Sequence, residues 1–273
     1  QPFTPDAYGH IVRMFNGDNI SYALGDASAA YCGISDIRLW KNSFKKYHLT
    51  QTPENGFGET PLKKYRRHIF LLHPNKVVIY DELEAGEKVH WDWLLHSPVK
   101  FDINPTTATL TTVNKEKGFT SVARLFSKQK AAITQTDKFA APPDSTDAQR
   151  GEDFTAPWSL TASFGPSKSN RILTIIQIEA DGMPAVQIMK EDYAFRCGEW
   201  TIEAELDAKR PERLYIRNNR NNAAFSYGNK KPEINGKTYS CKEKDASVLF
   251  DSISGKWETQ EMSDQRIQTM GKW

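Results

Sequence analysis

The stretch from Tyr65 to Pro98, YRRHIFLLHPNKVVIYDELEAGEKVHWDWLLHSP, constrains the fold of this chain more than any other. It reads as three strands in series, at residues 67–72, 76–80 and 89–96. His73-Pro74-Asn75 is short enough to close a hairpin between the first two. Pro74 has a fixed φ and no N–H to donate, so it belongs in a turn and not in a central strand. The polar segment 81–88, with Gly86 inside it, reads as the link to the third strand.

The same kind of signal recurs along the chain. Short β-rich runs bounded by Gly, Pro, Asn or Asp fall at 11–15, 20–24, 107–113, 120–126, 158–164, 171–178, 200–206, 213–216, 223–227 and 248–251. Residues 172–178, ILTIIQI, are almost continuously apolar, which predicts a central strand covered on both faces. Residues 201–206 alternate, as a strand with one solvated face does. No apolar stripe of helical period persists over three turns. Residues 137–153, with Pro142 and Pro143, read as a long loop, and 218–222 as a polar turn cluster. No internal repeat argues for a propeller or solenoid. More than ten strands with little helix predict an all-β fold: a large antiparallel multi-sheet β-sandwich formed by residues 1–273 as one domain.

Of the 273 residues, 38% are apolar and 26% charged, as in a globular protein. A net charge of +2 gives no basic footprint for nucleic acid, so no nucleic-acid partner is expected. No apolar run approaches the ~20 residues of a membrane span. Gln1-Pro2-Phe3-Thr4 does not resemble a signal peptide, so a leader has been removed or the chain begins inside a larger protein. Cys32, Cys197 and Cys241 form no CxxC pair, which argues against zinc-ribbon and thioredoxin-like sites. They allow one disulfide or three thiols. Buried thiols are expected, because a core this large needs no covalent staple.

All six histidines (His10, His48, His68, His73, His90 and His96) lie in the first 96 residues, which is where histidine chemistry must be sought. His96 ends a strong strand just before a proline. Such a residue is commonly a backbone-bonded histidine, and in a cleft it serves as acid, base or ligand. The spacing of His68 and His73 puts them on opposite faces of a regular strand. Asp92 and His96 share a face but stand about 13 Å apart along a strand, too far for one metal ion. No metal site is expected from them. Asp81 ends a buried run and reads as a turn cap. Arg66 and Arg67 suit a bidentate grip on a substrate carboxylate, or equally ion pairs with Asp81 and Glu82. Tyr31 closes the small-residue loop Gly25-Asp26-Ala27-Ser28-Ala29-Ala30 and projects to solvent or a partner. Trp40, Tyr47 and Phe57 sit in a lysine-rich region, a combination that suits anionic sugars as well as ordinary packing. The phosphate-loop, GxSxG and HExxH patterns are absent.

Four segments taken in order resemble the heparinase II/III family of bacterial polysaccharide lyases: GDASAAY at 25–31, RRHIFLLHP at 66–74, VVIYD at 77–81 and WLLHS at 93–97. Residues 150–178 add to the likeness, which covers 8–180. Residues 181–273 fit a closing β region without a specific motif. The resemblance implies an N-terminal helical toroid followed by a multi-sheet sandwich, of which this chain matches only the later, sandwich part. It implies β-elimination on uronic-acid polymers such as heparin and heparan sulfate, in the periplasm or outside a bacterial cell. The family's catalytic Tyr and His, and a metal site of two His and one Asp, belong to segments with no counterpart here. They would lie upstream of Gln1, so no cofactor is expected in this chain. The expected partners are an anionic uronic-acid polysaccharide and the N-terminal helical domain, and the chain alone is expected to be inactive. Any side chains it lends to the substrate would be His96, Arg67 and Tyr31. The alternative is a non-catalytic carbohydrate-binding or structural sandwich, since a fold does not fix a function.

Overall fold

A computed structural model describes residues 9–31, 45–46, 48, 50, 52, 60–138, 157–180, 187–191, 194–229, 231–243 and 245–265. Eighteen strands run through these residues, and helical backbone among them is confined to 45–46. The first nine are β1 (His10–Asn16), β2 (Ile20–Asp26), β3 (Leu62–Leu72), β4 (Lys76–Ser97), β5 (Asp102–Asn104), β6 (Thr109–Asn114), β7 (Phe119–Phe126), β8 (Ala131–Thr136) and β9 (Trp158–Ala180). The rest are β10 (Ile188–Glu191), β11 (Ala194–Cys197), β12 (Trp200–Ala204), β13 (Leu214–Asn218), β14 (Ala224–Tyr227), β15 (Glu233–Ile234), β16 (Lys237–Thr238), β17 (Ser247–Ile253) and β18 (Lys256–Met262).

These strands build two large antiparallel sheets. The first has nine strands in the order β1-β2-β3-β4-β9-β7-β6-β5, with β8 also paired to β9. The second has seven in the order β10-β11-β12-β13-β14-β17-β18. The expected all-β sandwich is therefore present. Its main core lies between the sheets, where Tyr22, Phe70, Val78, Tyr80, Leu173 and Ile175 of one meet Trp200, Ile216, Phe225 and Leu249 of the other. Burying such side chains is worth about 1.5–3 kcal/mol each before chain entropy is counted.

A second core forms on the opposite face of the first sheet. There Trp91, Trp93, Leu160, Ala162, Phe164 and Ile172 pack with Phe101, Leu110 and Leu125. Leu173 and Ile175 face the first core while Ile172 and Ile176 face the second. This explains the apolar run from Ile172 to Ile176, where neither face of β9 is left to water; Ile178, expected to be covered, is 44% exposed.

Two expected boundaries are wrong. Residues 76–80 and 89–96 belong to one strand, β4, and residues 158–164 and 171–178 belong to one strand, β9. The two pair along most of their length. The polar segment 81–88 reads as a link because charge inside a strand resembles a loop. Here its two buried acids are matched in place, because Asp81 pairs with Arg67, and Glu82 pairs with Lys64 and is hydrogen-bonded to His68. Asp81 is thus a mid-strand ion-pair partner and not a turn cap. Gly86 and Pro166 sit where the β4–β9 register shifts, between the Glu84–Ser169 and Trp91–Phe164 pairs. An irregularity in the ladder is where a strand tolerates such residues.

The hairpin at 73–75 is as expected, with a cis His73–Pro74 bond. The polar cluster at 218–222 does form the β13–β14 turn, in which Asn218 Oδ1 accepts the N–H groups of Arg220 and Asn221. Thr201, expected on a solvated face, is buried and bonded to Asn219. Asn235 and Gly236 both have positive φ, which suits the tight turn joining β15 to β16. Cys197 and Cys241 are buried thiols, as expected, while Cys32 and the residues 139–153 of the expected loop lie outside the described residues.

Candidate functional site

Arg67 and His68 are consecutive on β3, so their side chains leave opposite faces of the sheet. Arg67 sits directly across from Asp81 on β4. Its guanidinium grips the carboxylate with two bonds, Nε to Oδ1 at 2.6 Å and Nη2 to Oδ2 at 3.0 Å. Burial works against the charge of Arg67, but the Asp81 carboxylate outweighs it and holds the guanidinium above its ordinary pKa. The pair forms part of the floor of a groove of about 320 Å³. Tyr65 and Tyr31 stand beside it, with ring centroids 5.7 Å apart, and the Arg67 guanidinium lies 5.7 Å from the Tyr65 ring centre. Burial pushes the Tyr65 phenol up, so it stays protonated at neutral pH.

The far wall of the groove comes from the irregular middle of β4. Register shifts on either side of Val89 set the positions of His90, Trp91, Asp92 and Trp93, all of which line the groove. Bulges near sites commonly redirect side chains in this way. His90 and Asp92 are exposed, and Asp92 accepts a bond of 2.7 Å from Ser163.

Two of the three expected contact residues, Tyr31 and Arg67, therefore meet in one groove. His96 does not join them. It is exposed further along β4, where its Nε2 lies 3.2 Å from Ser159 Oγ on β9. Arg66 points away from the groove into a cluster of acids, with Nη2 2.7 Å from Asp264 Oδ1. His73 caps the hairpin against Ser21 at 3.0 Å. Trp40, Tyr47 and Phe57 lie outside the described residues. Among those residues no three His, Cys, Asp or Glu side chains converge as a metal site.

Beneath the groove floor, on the other face, lies a polar network that the sequence reading missed. His68 is fully buried; its Nδ1 lies 3.0 Å from the Tyr22 hydroxyl and its Nε2 3.0 Å from Glu82 Oε1. Burial lowers the His68 pKa, which makes the ring neutral at pH 7. A proton on Nε2 then serves Glu82, and Nδ1 accepts from Tyr22. Burial opposes the charge of Glu82, but its bonds to His68 and Lys64 outweigh that and hold the carboxyl well below its usual range. The signal was partial: a hairpin centred on Pro74 puts His68 across from Tyr80, so Glu82 stands diagonal to it on the same face.

The groove can thus bind flat, partly apolar rings against Tyr31 and Tyr65. Arg67 keeps Nη1 outside its fork with Asp81 and can offer it to an acid or hydroxyl. That suits sugars.

No family model matches the sequence, and no curated protein sequence does. Solved structures with a similar fold include a heparinase III, the BT4657 gene product, with a TM-score of 0.50 and 11% identity over 80% of this chain. Others are the heparan sulfate lyase HepC from Pedobacter heparinus (TM-score 0.47, 9% identity, 77% of this chain) and a further heparinase III (TM-score 0.47, 11% identity, 85% of this chain). The match takes in 27%, 26% and 26% of those chains, respectively. At such identity the likeness is one of fold: this chain is a β-sandwich of the kind found in heparinase-type lyases, and spans about a quarter of their length.

Proposed function

We propose that this chain is the sandwich portion of a polysaccharide lyase that acts by β-elimination on uronic-acid polymers such as heparin or heparan sulfate, outside the cell or in the periplasm. The groove between β3 and the middle of β4 would be one wall of its substrate cleft. The observation that carries this reading is the row Tyr31–Tyr65–Arg67, two aromatic faces and a cation along one groove. The fold shared with a heparinase III supports it.

β-Elimination at a uronate asks for three things: neutralisation of the carboxylate, a base for the C5 proton and an acid for the leaving oxygen. Arg67 suits the first, with Tyr31 and Tyr65 orienting the sugar. His96 would touch only a polymer that runs past the groove along β4. The base and the acid would come from a second wall, the helical domain of the same protein, and any metal ion from there too. The isolated chain is accordingly inactive in this reading. The test is to incubate it with heparin, heparan sulfate and unsulfated uronate polymers and to follow the absorbance of the unsaturated product. Binding without turnover is expected, and robust turnover by this chain alone would overturn the reading.

A carbohydrate-binding module without a role in lysis is the second reading. The exposure of Tyr31, at 54%, favours it, because an open aromatic is a binding platform. Restoring the upstream sequence separates the two: a lyase gains turnover that Arg67→Ala impairs, and a module gains none.

A further inference from the structure

β1 is an edge strand of the first sheet and β18 an edge strand of the second, and the chain that follows β18 bridges them. A β-bulge prepares the landing point. The β1–β2 register shifts between Ile11 and Arg13, so Val12 and Arg13 are both buried although they are consecutive. The bulge therefore turns a guanidinium into the sandwich. The Val12 carbonyl accepts the backbone N–H of Gln265 at 2.9 Å. Residues 263–265 thus cross from the second sheet to the first.

Asp264 makes this bridge ionic. Its Oδ1 accepts from Arg13 Nε at 2.7 Å, and its two oxygens accept from Arg66 Nη2 at 2.7 and 2.8 Å. The Arg13 side chain is fully buried and that of Arg66 is 9% exposed, whereas Asp264 is 42% exposed. Asp245 Oδ2 stands 3.6 Å from Arg13 Nη2 and 3.9 Å from Arg66 Nη1, and Asp26 Oδ2 stands 3.7 Å from Arg66 Nε. Those distances balance charge without a hydrogen bond. Arg13 Nη2 and Arg66 Nε accordingly are buried atoms with no hydrogen-bond partner among the described residues. A guanidinium holds a carboxylate best through two nitrogens at once, as Arg67 holds Asp81. Arg13 gives Asp264 only Nε. The two arginines thus form a socket with donors that its tethered acid leaves unmatched, a desolvation cost that a better-placed ligand removes. Beyond Met262, which packs on the main core, the strap reads Ser-Asp-Gln and has no apolar side chain to bury.

We propose that residues 263–265 are a releasable clasp, and that the Arg13–Arg66 socket beneath it is a carboxylate-binding site that Asp264 keeps shut as a tethered ligand. A free carboxylate takes Nε and Nη2 of Arg13 together, with Arg66 still donating to it. Lifting the strap unlinks β1 from β18, so one equilibrium sets both access to the socket and closure of that edge of the sandwich. The inference is independent of the Arg67 groove, since Arg66 faces the other side of β3.

The test is NMR on the whole chain, read at the Arg13 Nε–H signal. Asp264→Ala vacates the socket. Acetate is expected to shift that signal saturably in the variant and to leave it unmoved in the unaltered chain, where Asp264 fills the site. Chloride has the charge without the shape, and acetamide the shape without the charge. Each should bind at least about tenfold more weakly than acetate, for want of a charge-assisted fork. If Asp264→Ala is unfolded, acetate but not chloride should restore its folded spectrum. Hydrogen exchange tests the release. In the unaltered chain the Gln265 amide should exchange at least about tenfold faster than the core amides of β3, as a local opening does. Gln265→Pro, which removes the N–H given to Val12, should move the Arg13 signal toward its position in Asp264→Ala. Acetate no better than chloride, an unaltered chain that responds to acetate like the variant, or a Gln265 amide that opens only together with β3 would each overturn the proposal.

Discussion

Arg67 and His68 are neighbours in the chain and opposites in their surroundings. Arg67 is about one-third exposed (side chain, 32%) and holds a buried carboxylate at the floor of an open groove. His68 and its partner Glu82 are sealed, at 0% and 1%. Both pairs link β3 to β4 across the same hairpin. The open pair keeps one donor for a visitor, while the sealed one spends every bond within the protein. The difference teaches that charge in a strand has two uses, and that a single step in strand parity chooses between them.

The largest expected effect belongs to the sealed side. Glu82→Ala leaves the sealed His68 without its acceptor inside the core, with Lys64 left to Glu212 alone, and should cost about 3–5 kcal/mol in urea unfolding. Arg67→Ala orphans Asp81, but at the groove floor water can reach the vacated space, so about 2–3 kcal/mol is expected. Its sugar binding should fall as well, which Glu82→Gln, if folded, should leave alone. Equal stability losses for the Glu82 and Arg67 changes would erase the contrast.

Acid should also separate the two sides. The folded pKa of His68 lies below its unfolded value, so below about pH 6.5 the unfolded chain takes up a proton that the folded chain refuses. The His68 contribution is therefore complete above that pH and is lost as pH falls toward the folded pKa. Glu82, also depressed, adds a further loss below about pH 4.3, as pH falls toward its own folded pKa. The urea midpoint plotted against pH should decline below about 6.5, and His68→Gln should flatten the upper part of that decline.

Smaller effects are expected at the rim. Tyr31→Ala should change stability by less than about 0.5 kcal/mol. It should weaken saccharide binding severalfold, the worth of one aromatic face at about 1 kcal/mol. His96→Ala is expected to be smallest of all, within about 0.5 kcal/mol in stability and with little change in binding of short oligosaccharides. A loss seen only with long polymers would extend the contact surface along β4.

Much of this architecture was legible in advance, because alternation and turn residues report burial directly. The runs at 11–15, 120–126 and 223–227 fall almost residue for residue on β1, β7 and β14. What failed was of two kinds. Polar edge or near-edge strands such as β8 (AAITQT) and β18 (KWETQEM) bury too little to leave an apolar signature. The segment that opens at Asp81 hid for the reverse reason, since Asp81 and Glu82 are buried and matched by partners that a one-dimensional reading treats as loop. Of the groove residues, Arg67 stands out in the sequence because its chemistry is conspicuous, and Tyr31 because it closes a small-residue loop.

The long pair β4 and β9 has one more consequence. Each strand belongs to both cores, so neither core can come apart without pulling on the rail they share. The Arg67 groove lies along the irregular midpoint of that rail, and a substrate pressing on it would push against two hydrophobic anchors at once. Its shape is therefore braced before any sugar arrives. Native-state hydrogen exchange should find the amides on both sides of the midpoint opening together, as a single unit.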